Sequence, residues 1–165
     1  MNMQHKISIT SALVSFVVFA IAGTAIAATF IGGPGDDYYG GSPDADYIYG
    51  NGGQDTLLGA QGGDHIEGGG MRDDLSGNGG NDGILGNAEN DQLGTGADSN
   101  WLVGGDDDDK LIGNATSSYN NTLQGDNGDD LIDAKNGQYD PTVDGGAGED
   151  TCYNEQYDGV THCEH

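Results

Sequence analysis

From Tyr39 to Leu111 a large apolar side chain returns at every ninth position, through Ile48, Leu57, Ile66, Leu75, Ile84, Leu93 and Leu102, with no gap and no polar interruption. Two places before each stands an acid or its amide: Asp37, Asp46, Asp55, Asp64, Asp73, Asp82, Asp91, Asn100 and Asp109. This register ties a core position and a hard oxygen ligand into one repeating unit. A ladder of calcium sites is its simplest physical reading.

Composition rules out an ordinary hydrophobic core. The 165 residues include 32 Gly, 28 acids and 4 Lys plus Arg, for a formal charge of −24. One apolar core residue per nine cannot offset the entropy of ordering a glycine-rich, strongly charged chain, so burial alone would leave it disordered. Something other than apolar burial must stabilise the fold. The charge argues against nucleic acid and anionic membranes as partners and favours cations.

Residues 1–27 differ in kind, with Lys6, an apolar run from Ile7 to Ala22, and a small-residue ending at Ala25-Ile26-Ala27. That is the layout of a secretory signal, with cleavage expected after Ala27. A retained anchor is the alternative, because Ile7 to Phe30 is uncharged and long enough to span a bilayer. The mature chain is expected to be secreted or at the cell surface, with no membrane contact after cleavage. Both cysteines, Cys152 and Cys163, lie near the C-terminus, and two cysteines without a third in an exported chain point to a disulfide.

The fullest unit, Gly32-Gly33-Pro34-Gly35-Asp36-Asp37-Tyr38-Tyr39-Gly40, fits G-G-x-G-x-D-x-U-x with U large and apolar, and Gly125 to Ile132 and Gly145 to Cys152 keep the pattern well. Glycines admit positive φ and close backbone approach, so the first six residues can wrap their carbonyls around an ion while the Asp adds a charged oxygen. The x-U-x that follows is expected to be a strand of about three residues with its central side chain inward. Two nonapeptides, about 18 residues, then complete one turn, and like loops stack every second repeat. One edge carries Asp37, Asp55, Asp73, Asp91 and Asp109; the other carries Asp46, Asp64, Asp82 and Asn100. At a layer spacing of about 4.8 Å such carboxylates repel unless a cation separates them. Calcium, with about six to eight oxygen ligands in adaptable geometry, suits the gap better than magnesium or zinc.

The pattern resembles the nonapeptide repeats of the RTX (repeats-in-toxin), or hemolysin-type, calcium-binding family, over roughly residues 29–153. The resemblance implies an all-β, right-handed parallel β-roll, a β-solenoid with Ca2+ in its loops. It also implies a ligand set: each ion takes the second- and fourth-position carbonyls and the Asp of one loop, with the first- and third-position carbonyls and the Asp of the loop one turn later. Carried over, one site takes Gly33, Gly35 and Asp37 with Gly50, Gly52 and Asp55. A second takes Asn51, Gly53 and Asp55 with Gly68, Gly70 and Asp73; a third, across the roll, takes Ala60, Gly62 and Asp64 with Gly77, Gly79 and Asp82. Gly59 opens the Asp64 loop of that third site, and Asp46, Asp91, Asp109, Asp130 and Asp150 hold equivalent places in other loops.

Several loops depart from the pattern. Ser42, Pro43 and Asp44 replace glycines in loop 41–46, Met71 and Glu89 stand at the second turn glycine of loops 68–73 and 86–91, Asn100 ends loop 95–100, and Asp107 lies in loop 104–109. Sites drawing on these loops are expected to be weaker or empty, and the ligand turns to degrade from Asp91 onward. Leu123, Ile132, Val143 and Cys152 continue the core at broken spacing, with residues 113–121 and 134–142 read as surface insertions. The chain thus divides into a signal at 1–27, a regular roll at 28–112, irregular repeats at 113–144 and a disulfide-closed end at 145–165.

The expectation is a secreted, non-enzymatic protein whose roll folds on binding several Ca2+ ions. Paired acids are too common here to single out a catalytic pair, and no His stands at motif spacing from a nucleophile. The eight Tyr residues leave room for a second class, a calcium-dependent adhesion module for a surface glycan or matrix partner. A third class is a repeat fragment of a larger RTX enzyme or toxin.

Overall fold

A triplet with one inward side chain leaves its backbone donors and acceptors free to pair sideways, with the same triplet one turn above and below. The computed structural model, which describes residues 27–113, 120–135, 139–154 and 158–164, is built on that pairing throughout. Residues 1–26 of the expected signal lie outside the described residues, as do 114–119 and 136–138 within the two expected insertions.

Alternate triplets feed two sheets. The first sheet orders β1 (Thr29–Ile31), β3 (Tyr47–Gly52), β5 (His65–Gly70), β7 (Gly83–Ala88), β9 (Trp101–Asp106), β11 (Thr122–Asn127), β13 (Thr142–Ala147) and β15 (Val160–Thr161). The second orders β2 (Tyr38–Gly40), β4 (Thr56–Gln61), β6 (Asp74–Gly79), β8 (Gln92–Gly94), β10 (Lys110–Ile112), β12 (Leu131–Asp133) and β14 (Thr151–Tyr153). Neighbours pair in parallel, and in the regular part the register advances by one turn of two nonapeptides: Ile48 faces Ile66, and Leu57 faces Leu75. The chain is an all-β parallel β-roll of about 7 turns.

Between the sheets runs a single file of apolar side chains. Ile48, Leu57, Ile66, Leu75, Ile84, Leu93, Leu102 and Leu111 are buried, and Leu123, Ile132, Val143 and Cys152 carry the file past both insertions. Tyr39 is only partly buried, because it lies at the N-terminal end of the file, where it stacks on Phe30 with ring centroids 4.3 Å apart. At the other end the expected Cys152–Cys163 disulfide ties β14 to the chain that follows β15.

Two features differ from the sequence expectation. Many strands run six residues rather than three, because the second and third loop positions continue the layer-to-layer ladder: Asn51 pairs with Gly69 and Gly52 with Gly70. Both insertions also fall on one side of the roll, between β10 and β11 and between β12 and β13. Loops leading from the first sheet to the second, here the first edge, therefore keep one length throughout, from 32–37 to 145–150. The second edge absorbs every added residue.

Candidate metal centre

Each regular loop ends in an acid whose two carboxylate oxygens have different surroundings. Oδ1 accepts the backbone N–H of the equivalent residue one turn earlier. On the first edge Asp37 donates to Asp55 at 2.7 Å, Asp55 to Asp73 at 2.7 Å, Asp73 to Asp91 at 2.7 Å, Asp91 to Asp109 at 2.7 Å, Asp109 to Asp130 at 2.8 Å and Asp130 to Asp150 at 2.9 Å. On the second edge Asp46 donates to Asp64, Asp64 to Asp82 and Asp82 to Asn100, each at 2.8 Å. These side chains form two buried columns.

The other oxygen is left over. Oδ2 of Asp55, Asp64, Asp73, Asp82, Asp91, Asp109, Asp130 and Asp150 is buried without a hydrogen-bond partner, an arrangement that costs free energy wherever nothing compensates it. Each of these oxygens faces a space that exists because the first loop position is glycine. A Cβ built on Gly50 would lie 2.1 Å from Asp55 Oδ2 and 2.5 Å from the Gly68 carbonyl oxygen; one on Gly59 would lie 2.3 Å from Asp64 Oδ2 and 2.6 Å from the Gly77 carbonyl oxygen. The same pair of oxygens borders the space at Gly32, Gly41, Gly68, Gly86, Gly104 and Gly125. A carboxylate oxygen and a carbonyl oxygen of the next turn thus meet at one small cradle, turn after turn.

Electrostatics follow from the stacking. Burial, set against a backbone N–H that lowers it, raises the carboxyl of Asp91 to about 8, with Asp73, Asp109 and Glu89 adding to the rise. Burial likewise lifts Asp64 and Asp109 to about 7 and Asp55, Asp73 and Asp130 to about 6, and it raises Asp82 as well. Two carboxylates about 4.8 Å apart repel by roughly 3 kcal/mol at an effective dielectric of about 20, so a column at neutral pH calls for protons or a cation.

The structure brings Asp37 to the Gly50 carbonyl, Asp55 to that of Gly68 and Asp64 to that of Gly77, one such pair in each of the three sites expected from the sequence. The second- and third-position residues are engaged differently. Gly52 N–H donates to the Gly33 carbonyl at 3.3 Å, Asn51 and Gly52 pair with Gly69 and Gly70, and Ala60 and Gln61 pair with Asn78 and Gly79. At the fourth position Gly53 and Gly62 turn through φ of 115° and 107°, and Gly53 packs against the Gly35 carbonyl.

The expected decay of the turns after Asp91 does not occur on the first edge. Met71, Glu89 and Asp107 adopt left-handed φ of 75°, 70° and 73°, holding the turn that glycine would favour. Such residues resist that conformation by about 1–2 kcal/mol each, and the ladders on both sides impose it. At the N-terminal end of both columns Oδ2 is bonded within its own loop: Asp37 Oδ2 accepts from Gly33 N–H at 2.7 Å and Asp46 Oδ2 from Ser42 N–H at 2.5 Å, with Asp46 Oδ1 also accepting from Ser42 Oγ at 2.9 Å.

Three members of the second column were missed from sequence. Asn100 N–H donates to Asn121 Oδ1 at 3.0 Å, Asn121 N–H to Asp140 Oδ1 at 2.6 Å, and Asp140 N–H to Asp158 Oδ1 at 3.0 Å. Asn121-Thr122-Leu123 and Asp158-Gly159-Val160 repeat the acid-x-apolar triplet and were legible in principle. Asp140 was hidden by Pro141, an extra residue before the triplet's middle position.

The model of the RTX calcium-binding nonapeptide repeat matches the chain in four copies, at residues 31–66, 58–93, 94–117 and 115–139. No curated protein and no solved structure matched the chain. The four copies run through both columns of stacked aspartates and most turns of the roll, and they make the chain a member of the RTX calcium-binding nonapeptide repeat family.

Proposed function

We propose that this is a secreted protein, without catalysis of its own, whose roll takes up several Ca2+ ions in its loops and needs them to fold. One observation carries the reading: buried Oδ2 atoms without partners recur at one place in loop after loop, each beside a backbone carbonyl. The ligands are Asp37, Asp55, Asp73, Asp91, Asp109, Asp130 and Asp150 on the first edge and Asp46, Asp64 and Asp82 on the second, joined by the carbonyls of their loops. An all-oxygen donor set selects a hard cation, and calcium tolerates the irregular geometry that magnesium does not. Bound ions would cancel the repulsion within each column, so binding free energy becomes folding free energy.

Extracellular calcium modules bind at about 0.1–1 mM, which would leave the chain unfolded in cytosol and folded outside the cell. Circular dichroism in chelator and then in millimolar calcium is expected to show a β spectrum only with the ion. A β spectrum unchanged by chelator at neutral pH would sink the reading. A second reading, adhesion to an uncharged surface glycan, draws on the outer face of the first sheet. There Tyr47 and Trp101 are about half exposed in one row, and Trp101 Nε1 donates to Gln124 Oε1 at 2.9 Å. Retention on immobilised glycans that requires calcium would support it, and no retention would leave the first reading alone.

A further inference from the structure

Loop 95–100, on the second edge between β8 and β9, breaks the repeat at two linked places. At its first position stands Thr95, 1 % exposed, where neighbouring loops have glycine. Its N–H donates to the Ile112 carbonyl at 3.0 Å, the bond that first-position Gly32 and Gly41 make to Tyr49 and Leu58, so its backbone is in register. Thr95 therefore carries a side chain at the place where the glycines leave a cradle open.

At the sixth position stands Asn100, 4 % exposed. Its Oδ1 accepts from Asp82 N–H at 2.8 Å, as an Asp Oδ1 does in the other loops, and this fixes the orientation of the amide. Nδ2 then takes the place of the partnerless Oδ2. It donates to the Ala97 carbonyl at 2.9 Å and to the Asp98 carbonyl at 3.1 Å. In the ligand pattern of the calcium reading, on which this inference rests, Ala97 supplies the third-position carbonyl for the layer shared with the Asp82 loop. Asp98 supplies the fourth-position carbonyl for the layer above. One amide thus claims an oxygen from each of the two flanking ion sites. The next member of the column is Asn121, fully buried, which adds no charge either.

We propose that loop 95–100 is a junction whose upper layer is cation-free, the Asn100 amide and the Thr95 side chain standing in for its ion, while below it the partnerless Asp82 Oδ2 and the Thr95 carbonyl keep a cradle at Gly77. Calcium on the second edge is then interrupted above the layer that Asp82 shares with loop 95–100, while the first edge loads along its whole length. The middle of the second edge is held by hydrogen bonds whose strength does not depend on calcium concentration.

Native mass spectrometry of the full chain in calcium buffer tests this on wild type, Asn100→Ala and the double variant Thr95→Gly/Asn100→Asp. The double variant is expected to gain at least one ion, and Asn100→Ala to keep the wild-type count while melting at a lower temperature in saturating calcium. A folded double variant with no gain, or an ion lost from Asn100→Ala, overturns the proposal. Asn100→Asp alone provides an independent test: its melting temperature should rise more steeply with calcium than that of wild type, and equal slopes overturn the assignment. A wild-type count of zero removes the calcium reading and this proposal with it. A positive count without the expected gain removes the proposal alone.

Discussion

Replacing Gly50 by Ala puts a methyl group into a cradle of the first edge. The added Cβ would lie 2.1 Å from Asp55 Oδ2 and 2.5 Å from the Gly68 carbonyl oxygen, where ordinary contact begins near 3.4 Å. The carboxylate can swing aside only by leaving its slot, and the carbonyl belongs to a strand of the first sheet and cannot move alone. Overpacking of this kind costs about 1–3 kcal/mol. With calcium present the variant should also lose an ion, and at a free concentration of about 10–100 times Kd one site contributes roughly 1.4–2.7 kcal/mol. The combined loss in calcium is about 2–6 kcal/mol, or a fall in Tm on the order of 10 °C or more. Gly40→Ala is the matched control, because a Cβ there meets nothing within 4 Å and should change stability by about 0.5 kcal/mol or less. Thermal unfolding followed by circular dichroism across a calcium titration, with ion counts by calorimetry, reads both variants. If the two melt together and bind equal numbers of ions, the cradle is not where the ion sits.

Metal-free folding should depend on pH in a sense opposite to that of most acidic proteins. Asp55, Asp64, Asp73, Asp91, Asp109 and Asp130 have folded values between about 6 and about 8, against about 4 in an unfolded chain. A raised acid binds more protons folded than unfolded, so the stability it contributes is complete below about pH 4 and lost as pH rises through about 6 to 8. In chelator the β spectrum is expected near pH 5 and absent at pH 8, and calcium should restore it at pH 8; stability in chelator that increased with pH would contradict the assignment. Reducing the Cys152–Cys163 bridge, which spans 11 residues, should cost about 3 kcal/mol by loop entropy. Hydrogen exchange should then quicken in β14 and β15 while β3 to β9 stay protected, and an equal loss across all strands would show that the end is not an independent cap.

The core was the most legible part of the fold. A nine-residue step with one apolar slot admits few alternatives, and each slot from Ile48 to Leu111 is buried as that step requires. Ile132 and Cys152 stayed legible despite the broken spacing before them, because the acid-x-apolar triplets Asp130-Leu131-Ile132 and Asp150-Thr151-Cys152 are local. What the sequence hid depends on contacts between layers. Nothing in the spelling of Met71, Glu89 or Asp107 announces a left-handed residue, since the ladder above and below imposes that conformation. The division of each carboxylate into a bonded and a partnerless oxygen is likewise a property of the stack, as is the Asn100 amide turned toward its own loop. Asn121, Asp140 and Asp158 were lost because counting in nines fails once added residues intervene, although each of them still joins the column by a hydrogen bond.

The confinement of added length to one side of the roll separates pitch from contour. Along the first edge the sequence step between successive aspartates changes from 18 at Asp91–Asp109 to 21 at Asp109–Asp130 and 20 at Asp130–Asp150, yet the bond joining each pair stays between 2.7 and 2.9 Å. One side acts as a ruler with fixed graduations, and the other as slack. A peptide grafted into residues 113–121 would lengthen the molecule's outline without moving a single graduation, whereas one extra residue between Gly86 and Asp91 would put every later mark out of step with those before it.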